Sequence, residues 1–422
     1  MANYELRIET KDFKKALDVL STVINKKVTL PIMACARISY NREKKLFTMT
    51  GGNTEQWLAI DCWRPEEQAD NGVRPWLFLD KDDRQAPFDG VCINVEAFRE
   101  AFATLPTMPC TCYLKLDDKG GSLTVTHSKG QFTLPVESAV DYPPVPEVME
   151  KGGEQRQGVS PLVKFSIETL RLLPIIDAAR CCAAADELRP VMNTVCLDAF
   201  HDHLIVVASD GHSLYRQNID TGMGWLRYGE FAVTASAKVL IPTPSLSPLV
   251  KAFATEQSLT LTADTQRICI ENGSGSVRLT SVCMDGNYPA YDSVIPKDNQ
   301  HRLVIDRAEL SATLRRISIF SAEASNLAVL RRDDEQVVIN ASDDIDGRNA
   351  DEKVTIINSG DATLPNGTQI GFKIATMQKL LQCIGSDNVV LEIGTPDRAV
   401  LLKEDEKVSS LTLLLMPMLV NQ

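Results

Sequence analysis

The 422-residue sequence contains no apolar run that approaches the roughly 20 residues needed to span a bilayer. Its first residues, MANYELRIETKDFKK, lack the apolar segment of a secretory signal. Its eleven cysteines without such a signal indicate reduced thiols, because disulfides form mainly in exported proteins. We therefore expect a cytoplasmic protein with no membrane partner.

Motifs of the common enzyme classes are also missing. The sequence has no GxxxxGKS/T phosphate loop, no GxSxG nucleophile turn and no HExxH zinc motif. Cys110-Thr111-Cys112 and Cys181-Cys182 lack the paired CxxC spacing of zinc sites, which favours buried or inert thiols. His201-Asp202-His203 lies between two apolar runs and indicates a hairpin turn. We predict no catalytic residue, no metal and no cofactor.

One structural pattern occurs three times along the chain. Strand-like runs at 46–50 (LFTMT), 204–209 (LIVVAS) and 337–342 (VVINAS) each lead into a polar turn, GGN, DGH or DD. The interval of about 130–160 residues indicates repeated domains rather than solenoid units. Two Tyr-Pro stretches, YPPV at 142–145 and YPAYDSV at 288–294, leave a strand-rich region. We predict domains at 1–150, with an insertion near 63–91, at 151–298 and at 299–422.

Each domain is predicted to contain two amphipathic helices followed by alternating strands. The helices are expected at 12–25, 95–105, 167–183, 246–254, 306–317 and 374–384. Asn94 and Asp306 are expected to cap the second and fifth helices. Pro174 should kink the third helix or make it start late. Runs such as SLTVT at 122–126 alternate with a period of two, which favours antiparallel sheets and an α+β fold.

The chain lacks the positive charge expected of a protein that holds nucleic acid by electrostatics alone. It has 44 Lys and Arg against 56 Asp and Glu, for a net charge of −12. With the first helix counted as 12–27, the six predicted helices carry a net charge of +4, which leaves −16 for the remainder. If all six helices face the same direction, the surface that they form is neutral to basic. The alternative is an ordinary solvated helix face, which charge alone favours.

Five stretches resemble the bacterial sliding clamp family, the beta subunit of DNA polymerase III. They are Arg189-Pro190 with Asn193, residues 208–214 (ASDGHSL), Tyr288-Pro289 with residues 294–296, residues 317–323 (ISIFSAE) and Met416-Pro417-Met418. The resemblance runs in order over the whole chain. It implies three similar DNA-clamp domains per chain, each with two helices packed on antiparallel sheets, assembling as a ring.

The resemblance implies a non-catalytic processivity factor for DNA replication. Two chains would join head to tail and encircle duplex DNA without sequence preference. Partners would be the catalytic subunit of the replicative polymerase, the clamp loader and other proteins with a clamp-binding motif.

The family's peptide-binding groove maps onto residues of the second and third predicted domains. These residues are Met192, Ser209, Gly211, His212, Ser213, Leu214, Pro289, Val294, Thr376, Ala399, Leu414, Met416, Pro417 and Met418. The family's common Arg after the Gly-His pair is Ser213 here. The dimer contact is expected to join Phe132 and Leu134 of one chain to Ile319 and Phe320 of the other. Helix placement and the resemblance together suggest Lys26, Lys27, Arg180, Lys251, Arg315 and Arg316 as DNA-facing residues.

Two alternative interpretations of the sequence remain open. Asp186 and Glu187 stand where relatives have uncharged DNA-facing groups, and Pro174 interrupts a helix that would line the ring. This motivates a clamp-fold adaptor that binds peptides without encircling DNA. Asp343, Asp344 and Asp346 indicate a turn, with a hydrolase metal site as the minority alternative.

Overall fold

The computed structural model describes residues 2–24, 30–41, 46–61, 77–80, 90–117, 120–146, 163–186, 188–200, 202–220, 227–228, 237–264, 266–343, 345–358, 363–405 and 410–420. The predicted insertion near 63–91 lies largely outside these residues.

Six successive segments of the chain repeat one order of elements: a strand, a helix and three further strands. Segment one contains β1 (Ala2–Glu9), α1 (Thr10–Leu20), β2 (Cys35–Asn41), β3 (Leu46–Gly52) and β4 (Gln56–Asp61), and β5 (Leu77–Asp80) follows it. Segment two contains β6 (Val91–Asn94), α2 (Val95–Ala103), β7 (Pro109–Asp117), β8 (Gly120–His127) and β9 (Gly130–Ser138). Segment three contains β10 (Val163–Glu168), α3 (Thr169–Ala179), β11 (Thr194–Ala199), β12 (His203–Ser209) and β13 (Ser213–Asp220), and β14 (Arg227–Tyr228) follows it.

The remaining segments keep the same order. Segment four contains β15 (Ala237–Pro242), α4 (Leu246–Phe253), β16 (Ser258–Ala263), β17 (Arg267–Asn272) and β18 (Val277–Val282). Segment five contains β19 (His301–Asp306), α5 (Arg307–Ile317), β20 (Leu327–Asp333), β21 (Gln336–Asp343) and β22 (Arg348–Thr355). Segment six contains β23 (Gln369–Lys373), α6 (Ile374–Gln382), β24 (Asn388–Ile393), β25 (Val400–Glu404) and β26 (Leu411–Leu415).

All six predicted helices form, and the two predicted caps are confirmed. The Asn94 side chain accepts a hydrogen bond from the Ala97 amide at 3.0 Å, and Asp306 accepts one from Glu309 at 2.7 Å. Of the two alternatives predicted at Pro174, a kink or a late start, the late start is excluded, because α3 begins at Thr169 and includes Pro174. Pro174 has no amide to donate to the carbonyl of Leu170, but Leu170 is exposed and water can take that place.

The strand before each helix pairs with the first strand of the three-strand group of the adjacent segment, and β6 also pairs with β9 of its own segment at two residues. Segments one and two exchange β1 and β6, which pair with β7 and β2. Segments three and four exchange β10 and β15, which pair with β16 and β11. Segments five and six exchange β19 and β23, which pair with β24 and β20. All these pairs are antiparallel, so the sheets confirm the predicted α+β class.

The chain divides into two compact units, the first formed by residues 1–170 and 244–283. Its sheet follows the order β10-β16-β17-β18-β4-β3-β2-β6-β9-β8-β7-β1-β5. The helices α1 and α2 pack through Phe13 and Phe102, whose ring centroids lie 4.6 Å apart. Leu17, Leu20 and Phe98 complete a buried layer beneath them.

A buried ion pair joins β4 to β18 in this unit. Both guanidinium Nη atoms of Arg278 donate to the Asp61 carboxylate at 3.0 Å, and the Thr48 hydroxyl donates to it at 2.8 Å. The Asp61 side chain is 2% exposed, whereas that of Arg278 is 34% exposed. The Asp61 carboxylate therefore depends on the ion pair more than the Arg278 guanidinium does, because only the guanidinium is partly exposed to water.

The second unit contains residues 171–243 and 284–422. One of its sheets follows the order β15-β11-β12-β13-β26-β25-β24-β19, and a second follows β22-β21-β20-β23. The residues of β11 are all buried, which explains its lack of alternation. Helix α5 buries Leu310, Leu314 and Ile317, three of its apolar positions at helical spacing.

The two polar clusters seen in the sequence lie in turns. The Phe200 amide donates to the His203 carbonyl at 2.9 Å between β11 and β12, which confirms that hairpin; His201 itself lies outside the described residues. Asp343 accepts from the amides of Ile345 and Asp346, and Arg348 pairs with both carboxylates. Within the described residues, no three His, Cys, Asp or Glu side chains form a metal site. No helix in that part of the chain is long and apolar enough to cross a membrane.

Removing Arg278 should destabilise the protein more than neutralising Asp61. Arg278→Met leaves a buried carboxylate without its cation, and we expect a loss of about 3 kcal/mol in the free energy of unfolding. Asp61→Asn leaves a guanidinium that water already reaches, so a loss of about 1 kcal/mol is expected. Urea unfolding followed by circular dichroism measures both losses, and equal losses would contradict this account of the pair.

Candidate functional site

A tight turn joins β12 to β13, and its conformation is held by Asp210. One carboxylate oxygen of Asp210 accepts from the amides of His212 and Ser213 at 2.9 and 2.6 Å and from the Ser213 hydroxyl at 3.1 Å. The Ser209 hydroxyl donates to the Ser213 carbonyl at 2.9 Å and accepts from the Gly211 amide at 3.2 Å. The two predicted serines therefore build the turn, while His212 remains exposed on it.

Gly211 is required where the turn meets Arg189. Its φ of +86° is the left-handed conformation that favours glycine, and a Cβ there would lie 2.9 Å from an Arg189 Nη atom. The same Nη lies 3.8 Å from the Met192 sulfur, so Arg189 bridges two predicted groove residues. Arg189 was missing from the predicted groove. Its place directly before Pro190, in a stretch that carries the resemblance, was the available signal.

The C-terminal segment is fixed beside this turn by backbone hydrogen bonds. Strand β26 pairs with β13 in antiparallel register, with Leu414 opposite Leu214. Beyond the strand, the Met416 amide donates to the His212 carbonyl at 2.8 Å, and the Met418 amide donates to the Gly371 carbonyl at 2.7 Å. The Met-Pro-Met motif therefore runs from the turn towards β23.

A buried apolar layer supports this surface. Leu214, Ala399 and Leu414 belong to one packed cluster with Tyr288 and Tyr291; Cys196, Ile205, Val207, Leu240 and Leu401 complete it. These three predicted groove residues thus lie beneath the surface. The Tyr291 hydroxyl donates to the buried Asp198 carboxylate at 2.8 Å. Burial and that carboxylate raise the pKa of Tyr291, which keeps the hydroxyl protonated as a donor.

The outer residues of the surface are exposed. Val294 follows the short helix Tyr291–Ser293 and is 56% exposed, and Met416 is 40% exposed. Pro289 is also exposed, while Pro417 and Met418 are half-buried. Thr376 lies half-buried on α6, outside the packed cluster. Exposed apolar side chains over a fixed backbone, with a few polar groups between them, suit an extended apolar peptide.

The residues predicted for a dimer contact lie on strand β9 and in a short helix after α5. In the first unit, Phe132 and Leu134 on β9 are half-buried, and Phe132 meets Phe102 edge-on at 5.8 Å between centroids. They line a hollow together with Leu105, Pro106, Met108 and His127. In the second unit, Ile319 and Phe320 lie in the short helix Ser318–Phe320 and are 66% and 36% exposed.

The predicted DNA-facing residues differ in whether an acidic side chain offsets their positive charge. Lys26 and Lys27 lie outside the described residues. Lys251 and Arg315 are exposed on α4 and α5, and Arg180 pairs with Asp177 at 3.0 Å. Arg316 holds the Glu352 carboxylate through Nε at 2.8 and 2.9 Å. This pair lowers the pKa of Glu352 and raises that of Arg316, so both stay charged and offset each other.

Comparison with known proteins gives three consistent findings. Residues 292–419 match the family described as DNA polymerase III beta subunit, C-terminal domain. A beta sliding clamp of Pseudomonas aeruginosa is 23% identical over 411 residues, covering 97% of this chain and 98% of the relative. A beta sliding clamp of Synechocystis is 22% identical over 401 residues, covering 92% of this chain and 93% of the relative.

Solved structures share the fold. A sliding clamp of Pseudomonas aeruginosa superposes with a TM-score of 0.80 at 20% identity, covering 99% of this chain and 100% of that one. The sliding clamp of Bacillus subtilis gives 0.81 at 18% identity with the same coverage. Residues 292–419 thus match the C-terminal domain of that family, and the whole chain is similar in sequence and in fold to bacterial beta sliding clamps.

Proposed function

We propose that this chain is a DNA sliding clamp, in which two copies close a ring around duplex DNA and hold the replicative polymerase on it. It acts by encirclement and docking, without catalysis. The main support for the ring is a rule of strand pairing. Two pairs of strands within one chain obey the rule, and the two strands of a third pair each keep an open edge.

The rule concerns the last strands of the segments. The last strand of segment one, β4, pairs antiparallel with the last strand of segment four, β18. The last strand of segment three, β13, pairs in the same way with that of segment six, β26. By this rule the last strand of segment five, β22, takes the last strand of segment two, β9.

Both of those strands have an open edge in one chain. In the described part of the chain, β22 ends its sheet with β21 as its neighbour. β9 pairs with β8 along its length but with β6 only at Glu137 and Ser138. A second copy supplies both missing edges. Two head-to-tail contacts then close a ring and remove the edges that would otherwise promote aggregation.

Apolar side chains accompany these edges. Ile319 and Phe320 lie beside the start of β22, where Arg348 donates to the Ile319 carbonyl at 3.1 Å. The hollow at β9 is lined by Phe132 and Leu134. We assign these four residues to the contact between copies, where exposed apolar groups gain most by burial.

DNA is held weakly in this proposal. The domains 1–150, 151–298 and 299–422 of each copy would turn their helices towards the duplex, and the helices carry positive net charge in an acidic chain. Lys26, Lys27, Arg180, Lys251 and Arg315 would contact phosphates without reading sequence. Arg316 contributes less because Glu352 offsets its charge. Few phosphate contacts suit a protein that must slide.

The surface between the 209–213 turn and the C-terminal segment is the proposed docking site. It would take the apolar motifs of the catalytic polymerase subunit, the clamp loader and other clamp-binding proteins in the bacterial cytoplasm. All fourteen predicted groove residues lie in the second compact unit. Arg189, which lies against Gly211 and Met192, is added to them as a polar group that would orient a bound peptide.

The adaptor alternative loses part of its motivation. The Asp186 carboxylate accepts from the Leu188 amide at 2.8 Å and lies 3.8 Å from the Arg189 guanidinium. Asp186 therefore has a local structural role and a cation that offsets its charge. Its presence does not require that DNA be repelled.

Encirclement predicts that retention depends on the topology of the DNA. Protein loaded onto a nicked circular plasmid by its cognate loader should remain bound through gel filtration in high salt. It should be lost when a single restriction cut makes the DNA linear. Equal retention on circular and linear DNA would exclude a sliding ring.

If β9 and β22 pair between two copies, the protein should be a dimer, and a single substitution at this contact should weaken it. At micromolar concentration, light scattering should give the mass of two chains for the parent protein. Phe320→Asp should give mainly single chains, because a carboxylate would be desolvated against an apolar hollow. The matched control is Leu170→Asp, an exposed apolar residue on α3 rather than on β9 or β22, which should remain dimeric. A monomeric parent protein would favour the adaptor.

Docking should depend on the exposed apolar residues more than on Leu414. Met416→Ala should weaken binding of a polymerase-derived clamp-binding peptide by about 1–2 kcal/mol, measured by calorimetry. Ile357→Ala serves as the control and should bind like the parent. Leu414→Ala should instead lower the melting temperature, because Leu414 is a core residue. Unchanged affinity in Met416→Ala would remove this surface from the site.

A further inference from the structure

Three thiols meet next to the docking surface. The Cys181 sulfur lies 3.2 Å from that of Cys383 and 3.6 Å from that of Cys182. Cys181 and Cys182 belong to the short helix Arg180–Cys182 that follows α3, and Cys383 follows α6. Sequence reasoning treated Cys181-Cys182 as inert, because Cys383 is 202 positions from Cys181 and no local spacing connects them.

Two of these three cysteines are partly exposed. Cys181 and Cys383 are half-buried, whereas Cys182 is buried. The protein's other buried thiols include Cys112, Cys196 and Cys283. A small oxidant therefore has access to the pair that is in closest contact.

The surroundings favour a thiolate at Cys181. Hydrogen bonds from the thiols of Cys182 and Cys383, together with the Lys379 ammonium, lower its pKa in spite of partial burial. Burial instead raises the pKa of Cys283 to about 12 and raises those of Cys112 and Cys196 as well. Thiolates, not thiols, react with peroxides, so Cys181 should react first.

We propose that Cys181 and Cys383 are an oxidation site, which a hydroperoxide converts from two thiols to a disulfide. The Cys181 thiolate attacks one peroxide oxygen, the O–O bond breaks, and a sulfenic acid and the first water or alcohol form. The Cys383 sulfur then attacks the sulfenic sulfur, the S–O bond breaks, and a second water leaves with the remaining proton. Two electrons pass from the thiols to the peroxide.

The disulfide would act on the docking surface through Cys182. The short helix that contains Cys182 contacts β12 and β13, the two strands that the 209–213 turn joins. The bond would also tie the end of α6 to the short helix after α3 and close a long loop of the unfolded chain. The oxidation site itself does not rest on the proposed function; only its effect on peptide binding does.

Oxidation should be selective and fast. Reduced full-length protein is treated with equimolar hydrogen peroxide, quenched with N-ethylmaleimide at intervals, and mapped by mass spectrometry without reduction. We expect a Cys181–Cys383 disulfide to form at least tenfold faster than any product at Cys196 or Cys283. A Cys181–Cys182 bond, or oxidation spread evenly over the cysteines, would overturn the proposal.

Single variants separate the two steps. In Cys383→Ser, Cys181 should accumulate as a sulfenic acid that dimedone traps; in Cys181→Ser, Cys383 should react no faster than the buried thiols. Cys269→Ser, a half-buried thiol in the other compact unit, is the matched control and should behave like the parent. Fast oxidation of Cys383 in Cys181→Ser would refute the assigned order.

Thermal unfolding gives a readout that does not depend on partners. Oxidation should raise the melting temperature of the parent by several degrees, and dithiothreitol should reverse the rise. Cys181→Ser should show no rise. An unchanged melting temperature in a protein whose disulfide has been mapped would refute the claim that the bond ties the two helix ends together. Peptide affinity measured on the same oxidised sample then tests the effect on docking separately.

Discussion

Each β-strand exposes backbone N–H and C=O groups on both edges, and an open edge recruits whatever strand can reach it. In this chain, the strand before each helix pairs with the three-strand group of the adjacent segment and covers an open edge of that group. Neither segment of a pair is then a closed structure, so two segments must fold together. The same need for edge pairing joins β4 to β18 and β13 to β26, and in the proposed ring it would join β22 to β9 of a second copy. Domain formation and the proposed ring closure would thus depend on one kind of hydrogen bond.

If the chain encircles DNA, electrostatic attraction to phosphates is not needed to keep it bound. A protein that binds DNA by affinity needs many phosphate contacts, and each adds to the salt dependence and to the residence time at one place. The closed ring proposed for this chain would be retained by topology, so the net charge of −12 would not be an obstacle. Surface pairs such as Arg180 with Asp177 and Arg316 with Glu352 reduce the positive charge of the helical elements further. Low friction, rather than tight binding, is the property that such a charge pattern favours.

Local signals predicted the local structure. Helices α2 and α5 begin where Asn94 and Asp306 predict, because a cap acts within one turn. The period-two runs became strands, including β8, β16 and β24. Helix α3 runs through Pro174 because the burial of Leu172, Leu173 and Ile176 around it outweighs the loss of one backbone hydrogen bond. Arg189 at Gly211 and Cys181 at Cys383 were not predictable from spacing, since folding alone brings these residues together.

The docking surface is a product of the joint between β13 and β26. Its turn belongs to segment three, its Met-Pro-Met motif belongs to segment six, and the Met416–His212 hydrogen bond extends their ladder beyond the last strand. Leu214 and Leu414 sit opposite each other in that ladder and fill the core beneath. A partner peptide at the proposed site would therefore recognise a feature that exists only when two distant segments are correctly paired. Since the proposed contact between copies obeys the same pairing rule, docking and ring closure would depend on the same backbone geometry. A binding site at a strand joint would make recruitment conditional on correct folding of the chain.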